Sequence, residues 1–168
     1  MAKTQRSTGK REDGANLSAR GRAGLKRHAE ACIDTFLTSV GIKDPSDQTD
    51  KNGWRHFQLG SARGFAYVVE TDDDVIVHAA AKVMDLPSDK DLTLPLFREL
   101  LELNLMLPGR TRLGVRENQV FAAATESATL IEDAEYGRHV HRVMALADAV
   151  DDKLQEKYQG TTKKRAAK

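Results

Sequence analysis

A chain of 168 residues, 40% hydrophobic and 30% charged, has apolar material for one core beneath a heavily solvated surface. Its single cysteine, Cys32, excludes an intramolecular disulfide and with it a secreted, stapled scaffold; a reducing cytoplasm fits. The net charge of +1 is unevenly spread, with Lys3, Arg6, Lys10, Arg11, Arg20, Arg22, Lys26 and Arg27 at the start, Lys163, Lys164, Arg165 and Lys168 at the end, and an acidic middle.

Residues 1–17 hold almost nothing to bury, so ordering them would cost backbone entropy without return, and they read as a flexible basic arm. They contain no apolar run suited to a signal-peptide core, and no later segment approaches the ~18 uninterrupted apolar residues of a membrane span. Ser18 caps a helix in which Leu25, Ala29, Ile33, Phe36, Leu37 and Val40 recur at spacings of three and four until Gly41. Residues 42–53, polar and containing Pro45, form a loop. Three runs, 54–59, 65–70 and 75–83, are dense in aromatic and β-branched residues and predict an antiparallel meander with breaks at 60–64 and 72–74. Alternation assigns Phe57, Leu59, Phe65, Tyr67, Val69, Val75, Val77 and Val83 to a buried face and His56, Gln58, Glu70, His78 and Lys82 to a wetter one.

Thr93 is the predicted cap of a second helix with Pro95 in its first turn, running to about Met106 before the Pro108-Gly109 stop. It carries one stripe of Leu96, Leu100 and Leu103 and an adjacent one of Phe97, Leu101 and Leu105, wider than one packing face requires. The first stripe is therefore assigned to contact with a second subunit. Residues 112–116 and 119–124 flank Glu117-Asn118 as a hairpin. From 133 to 158, Tyr136, Val140, Val143, Met144, Ala147, Val150, Leu154 and Tyr158 keep helical spacing. The order α-β-β-β-α-β-β-α predicts a single α+β domain over 18–158, a twisted antiparallel sheet covered by helices, between the basic arm 1–17 and a basic tail 159–168.

Catalytic chemistry finds little support. His139 and His141, two apart on a helix, diverge and are assigned to solvent. His56 and His78 decorate a sheet surface without a carboxylate or cysteine pattern beside them. Cys32 is read as a small buried residue without the histidine partner that a nucleophile needs. Residues 60–64 lack the Lys-Ser or Lys-Thr of a phosphate loop, and Asp72, Asp73 and Asp74 lack the spacing and closing glutamate of a calcium loop. No hydrolase or metalloprotease constellation occurs, so no catalytic, cofactor-binding or metal-binding residue is assigned and a non-enzyme is expected.

The run Leu100-Leu101-Glu102-Leu103-Asn104 closes a hydrophobic second helix just before the Pro108-Gly109-Arg110 turn. The Leu113-Gly114-Val115 strand follows, then Val120-Phe121-Ala122 in the next. With this order of elements, residues 25–158 resemble the bacterial YbjN-like proteins and the class I type III secretion chaperones. The resemblance implies a homodimer built on the second helix and neighbouring strand surface, which holds unfolded or extended segments of a client protein or regulates a partner.

Two functions are carried forward. In the first, the core binds polypeptide, with Trp54, Val68 and Ile76 on the wet sheet face as apolar anchors and backbone pairing at an open edge adding affinity. In the second, Lys3, Arg6, Lys10, Arg11, Lys163, Lys164 and Arg165 grip nucleic-acid phosphates without sequence preference.

Overall fold

The computed structural model describes residues 18–159. The arm 1–17, the tail from 160 onward and with them all seven basic residues assigned to nucleic acid lie outside the described residues. Helix α1 (Ala19–Ser39) begins where the Ser18 hydroxyl accepts from the Gly21 amide at 3.2 Å. After a short 3-10 turn at Pro45–Gln48 come β1 (Arg55–Leu59), β2 (Ala62–Glu70) and β3 (Val75–Asp85). Helix α2 (Thr93–Met106) follows a second 3-10 turn, Lys90–Leu92, for which the Asp89 side chain is the cap, so Thr93 is helical rather than capping. The hairpin β4 (Arg112–Arg116) and β5 (Gln119–Ser127) then leads to α3 (Asp133–Gln159).

The strands form one antiparallel sheet in the order β1-β2-β3-β5-β4, the α+β architecture expected. Its turns explain the register. Gly60 takes φ 62° and Leu59 faces Ala62, so the first hairpin closes over two residues rather than five. Glu117 and Asn118 both have positive φ, the backbone of a two-residue turn whose twist matches the strands it joins. Between Lys82 and Met84 the β3–β5 register shifts by one residue, and the Val83 carbonyl there accepts from Gln155 of α3 instead of from a strand.

Helices α1 and α3 cover one face of the sheet, and α2 packs beside β4. The covered face is small and aliphatic: Ala62, Ala66, Val68, Val77, Ala79, Ala81, Ala122 and Ala124 meet Ile33, Leu37, Val140, Val143 and Met144 in the core. Small residues let the helices approach closely. A Cβ on Gly64 would lie 2.6 Å from Met144 Sδ, and one on Gly137 2.6 Å from the Phe36 ring, so α3 sits almost directly on β2 and on α1. Arg55, buried at the start of β1, donates to both carboxylate oxygens of Asp34 in α1.

Three further sequence expectations change. In β2 the phase is inverted: Val68 is only 6% exposed and faces the helices, whereas Phe65, Tyr67 and Val69 point to the other side. The reason is the two-residue turn, which sets His56 opposite Phe65 and Phe57 opposite Gly64, and residues opposite each other share a face. In α2, Leu96 and Leu100 are buried in this protomer's own core and Leu103 is half-buried against it, while Leu94, Leu101 and Leu105 are exposed. Of the two leucine stripes, the inner one is needed to dock the helix. His139 is buried as well, because α3 presents that side to β5; His141 is exposed as expected.

Candidate functional site: the uncovered sheet face

The face turned away from α1 and α3 is aromatic. Trp54, just before β1, stacks on Phe65 at 5.0 Å between ring centroids and on Tyr67 at 4.8 Å. The row continues across β3 with His78, 4.9 Å from Tyr67, and reaches β5 with Phe121, edge-on to Phe65 at 6.3 Å. Trp54 is held in place by its own loop, since Asp50 Oδ1 accepts from the Trp54 amide and the Asp50 amide donates to the Trp54 carbonyl. Offset stacks of this kind contribute about 0.5–1.5 kcal/mol per pair beyond burial, so the row is pre-ordered.

Alternation puts Ile76 on this face, together with Arg63, Lys82, Arg112 and Arg116 around the rings. The surface thus joins flat apolar area to a basic rim in which Lys82 and Arg116 are paired with Asp85 and Glu117. His78 lies among these groups, its Nδ1 2.7 Å from Thr125 Oγ1; burial, and then the Arg116 charge, hold its pKa below the usual imidazole value. Of the three residues expected to contact polypeptide, Trp54 and Ile76 sit on the open face and Val68 does not. Phe65, Tyr67 and Phe121 complete the surface in its place.

The two sheet edges differ. At β4 the Asn104 side chain of α2 pairs with the strand backbone, accepting from the Leu113 amide at 2.7 Å and donating to its carbonyl at 2.8 Å. That edge is occupied at Leu113. At β1 an isolated bridge joins Arg55 to Thr49, and beyond it 56–59 have no further strand beside them among the described residues.

Two other places gather functional groups. A groove of about 680 Å³ runs between the α2–β4 loop and α3, with Leu107, Ile131 and Leu146 among its walls. Its charges are internally matched, Arg110 with Glu126 and Arg142 with Glu135. His139 borders it, with Nε2 3.3 Å from the Ala124 carbonyl and Nδ1 3.8 Å from Glu126; burial is the main reason its pKa is depressed. On the opposite side of α3, His28, Cys32 and Asp133 converge. Burial, and then the Asp133 charge, push the Cys32 thiol pKa up. Cys32 is only partly buried and does have a histidine beside it, against the sequence reading; the i,i+4 spacing of His28 and Cys32 is the signal that could have shown it, whereas the carboxylate, 101 residues beyond Cys32, had none.

No helix among the described residues is long and apolar enough to cross a membrane. No curated protein matches the chain. Solved structures do. The ExsC–ExsE complex aligns with TM-score 0.59 at 14% identity, covering 76% of this chain and 94% of that one. The HopA1–SchA chaperone–effector complex aligns with TM-score 0.53 at 12% identity, over 76% and 95%. The Yersinia pestis type III secretion chaperone SycH, in complex with a stable fragment of YscM2, aligns with TM-score 0.50 at 10% identity, over 72% and 98%. At such identities the likeness is one of fold, and it is the fold anticipated from the order of elements. Residues 27–166 match the family described as T3SS (YopN, CesT) and YbjN peptide-binding chaperone 1, and the chain belongs to that family of peptide-binding chaperones.

Proposed function

We propose that the chain is a non-enzymatic, cytoplasmic homodimer that holds an extended segment of a client protein across the aromatic sheet face. The observation that carries this is the row Trp54, Phe65, Tyr67, His78 and Phe121: large rings, stacked on one another, on the one sheet face that neither α1 nor α3 covers. Such a row takes apolar side chains from an extended peptide, the Arg112 and Arg116 rim favours acidic ones, and the backbone of 56–59 is placed to pair with the client as an added strand. The exposed stripe Leu94, Leu101 and Leu105 of α2, 76%, 70% and 85% exposed, serves as the dimer contact.

Trp54 is the only tryptophan, so its emission reports occupancy of this face directly. A permanently unfolded acidic polypeptide, reduced and carboxymethylated lactalbumin, is expected to shift that emission saturably. The Phe65→Ala, Tyr67→Ala double variant is expected to lose saturation while its mass by light scattering stays that of wild type. Undiminished binding in that variant overturns the assignment of the face. For the dimer, Leu101→Asp should give a folded monomer; replacement of buried Leu100 would instead damage the core and test nothing about association. A persistent dimer of Leu101→Asp overturns the α2 contact.

A further inference from the structure

We propose that His28, Cys32 and Asp133 form a zinc-class divalent-cation site that clamps the start of α3 onto α1. His28 and Cys32 are one helical turn apart and share a face of α1; Asp133 opens α3 opposite them. His28 Nε2 is 2.6 Å from Asp133 Oδ1 and 3.7 Å from Cys32 Sγ, and the three donor atoms all lie within 4.8 Å of one another. Metal–ligand bonds of about 2.0–2.3 Å at tetrahedral angles require donor separations of about 3.4 Å, so small side-chain shifts seat an ion among them.

The geometry distinguishes coordination from catalysis. A cysteine–histidine–aspartate relay uses both ring nitrogens, one toward each partner, whereas here sulfur and carboxylate approach the same nitrogen. Convergence on one point is what a shared ion needs. One nitrogen, one sulfur and one oxygen suit a borderline-soft ion such as Zn²⁺, with water as the fourth ligand. That water has access, because the His28 and Asp133 side chains are 49% and 74% exposed. Binding expels the thiol proton to solvent, and the thiolate, the imidazole lone pair and the carboxylate enter the shell.

The donors also sit on firmly packed backbone. One turn beyond Cys32 is Phe36, one turn beyond Asp133 is Gly137, and the Phe36 ring occupies the space that a Cβ on Gly137 would fill. Tyr136 meets the His28 ring edge-on at 6.3 Å. This site is separate from the aromatic face and does not depend on the peptide-binding assignment.

Titration of the full chain with Co²⁺ as the zinc surrogate tests it. The expected result is one saturating equivalent, visible bands of tetrahedral intensity and a near-ultraviolet sulfur-to-cobalt charge-transfer band. Cys32→Ser should abolish the charge-transfer band, and His28→Ala and Asp133→Asn should each weaken binding about tenfold or more. Zn²⁺ should raise the melting temperature of wild type and not of Cys32→Ser. Because His28 and Asp133 are exposed, their variants are expected to fold, which circular dichroism checks. Binding without the sulfur band, undiminished affinity in His28→Ala and Asp133→Asn, or no saturable binding at millimolar metal each overturns the proposal.

Discussion

The two faces of the sheet invert the usual order of size. Toward the helices the strands present mostly alanine, glycine and valine, with Phe57, Met84 and Leu113 as the larger exceptions; away from them they present tryptophan, phenylalanine, tyrosine and histidine. Burial alone would put the largest apolar groups inside. Close packing explains the covered side, since α3 lies so close to the middle of the sheet, at Gly64, that small side chains are favoured there. It does not explain the other side, where rings stack on one another and neither α1 nor α3 lies above them among the described residues. The faces therefore answer to different demands, one to folding and the other, under the function proposed above, to a partner.

Substitutions should separate those demands. The largest loss of stability is expected on the covered face: Gly64→Val adds volume where a Cβ is already 2.6 Å from Met144 Sδ and 2.9 Å from the Ala80 carbonyl. Overpacking of this kind costs about 1–3 kcal/mol or more, read as a lower urea midpoint. Next comes Asp34→Ala, which leaves buried Arg55 without its bidentate acceptor and should cost about 2 kcal/mol in the same assay. Trp54→Ala on the open face should cost about 1 kcal/mol of stability, the lower end for its two stacks, yet weaken client affinity about thirtyfold, as loss of an aromatic anchor does. If Trp54→Ala destabilised the fold as much as Gly64→Val while leaving binding intact, the division between the faces would collapse.

Helix and strand placement was largely legible in the sequence, because period, caps and turn residues are local. The phase of β2 was not, and the cause is specific. Residues 62–64 carry no strand-like side chains, so the hairpin turn looked five residues long; only the two-residue Gly60-Ser61 turn reveals that Phe65 lies beside His56. Trp54 and Ile76 do lie on the open face, because they sit in runs whose phase was right. In α2 both leucine stripes were visible, but amphipathic spacing does not say which of two apolar stripes is inward; Leu113 and the rest of the core decide that from far along the chain. The carboxylate facing His28 and Cys32 was illegible for the same reason.

One histidine with a depressed pKa lies on each side of the sheet, and acid distinguishes them. Burial holds the pKa of both His139 and His78 below the ordinary value of 6.5, so the unfolded chain takes up these protons before the folded one does. Their contribution to stability is complete above pH 6.5 and is lost as pH falls from there toward the folded values, at under about 1.4 kcal/mol per pH unit for each proton. His139→Gln keeps a donor for the Ala124 carbonyl and should flatten the stability profile between pH 7 and pH 5. His78→Gln should act chiefly on binding: a client lying over the ring removes it further from water, so affinity for the unfolded polypeptide should weaken with acid in wild type and much less in the variant. Parallel binding profiles for wild type and His78→Gln would mean that the client does not cover His78, and would move its path off the centre of the aromatic row toward the β1 edge.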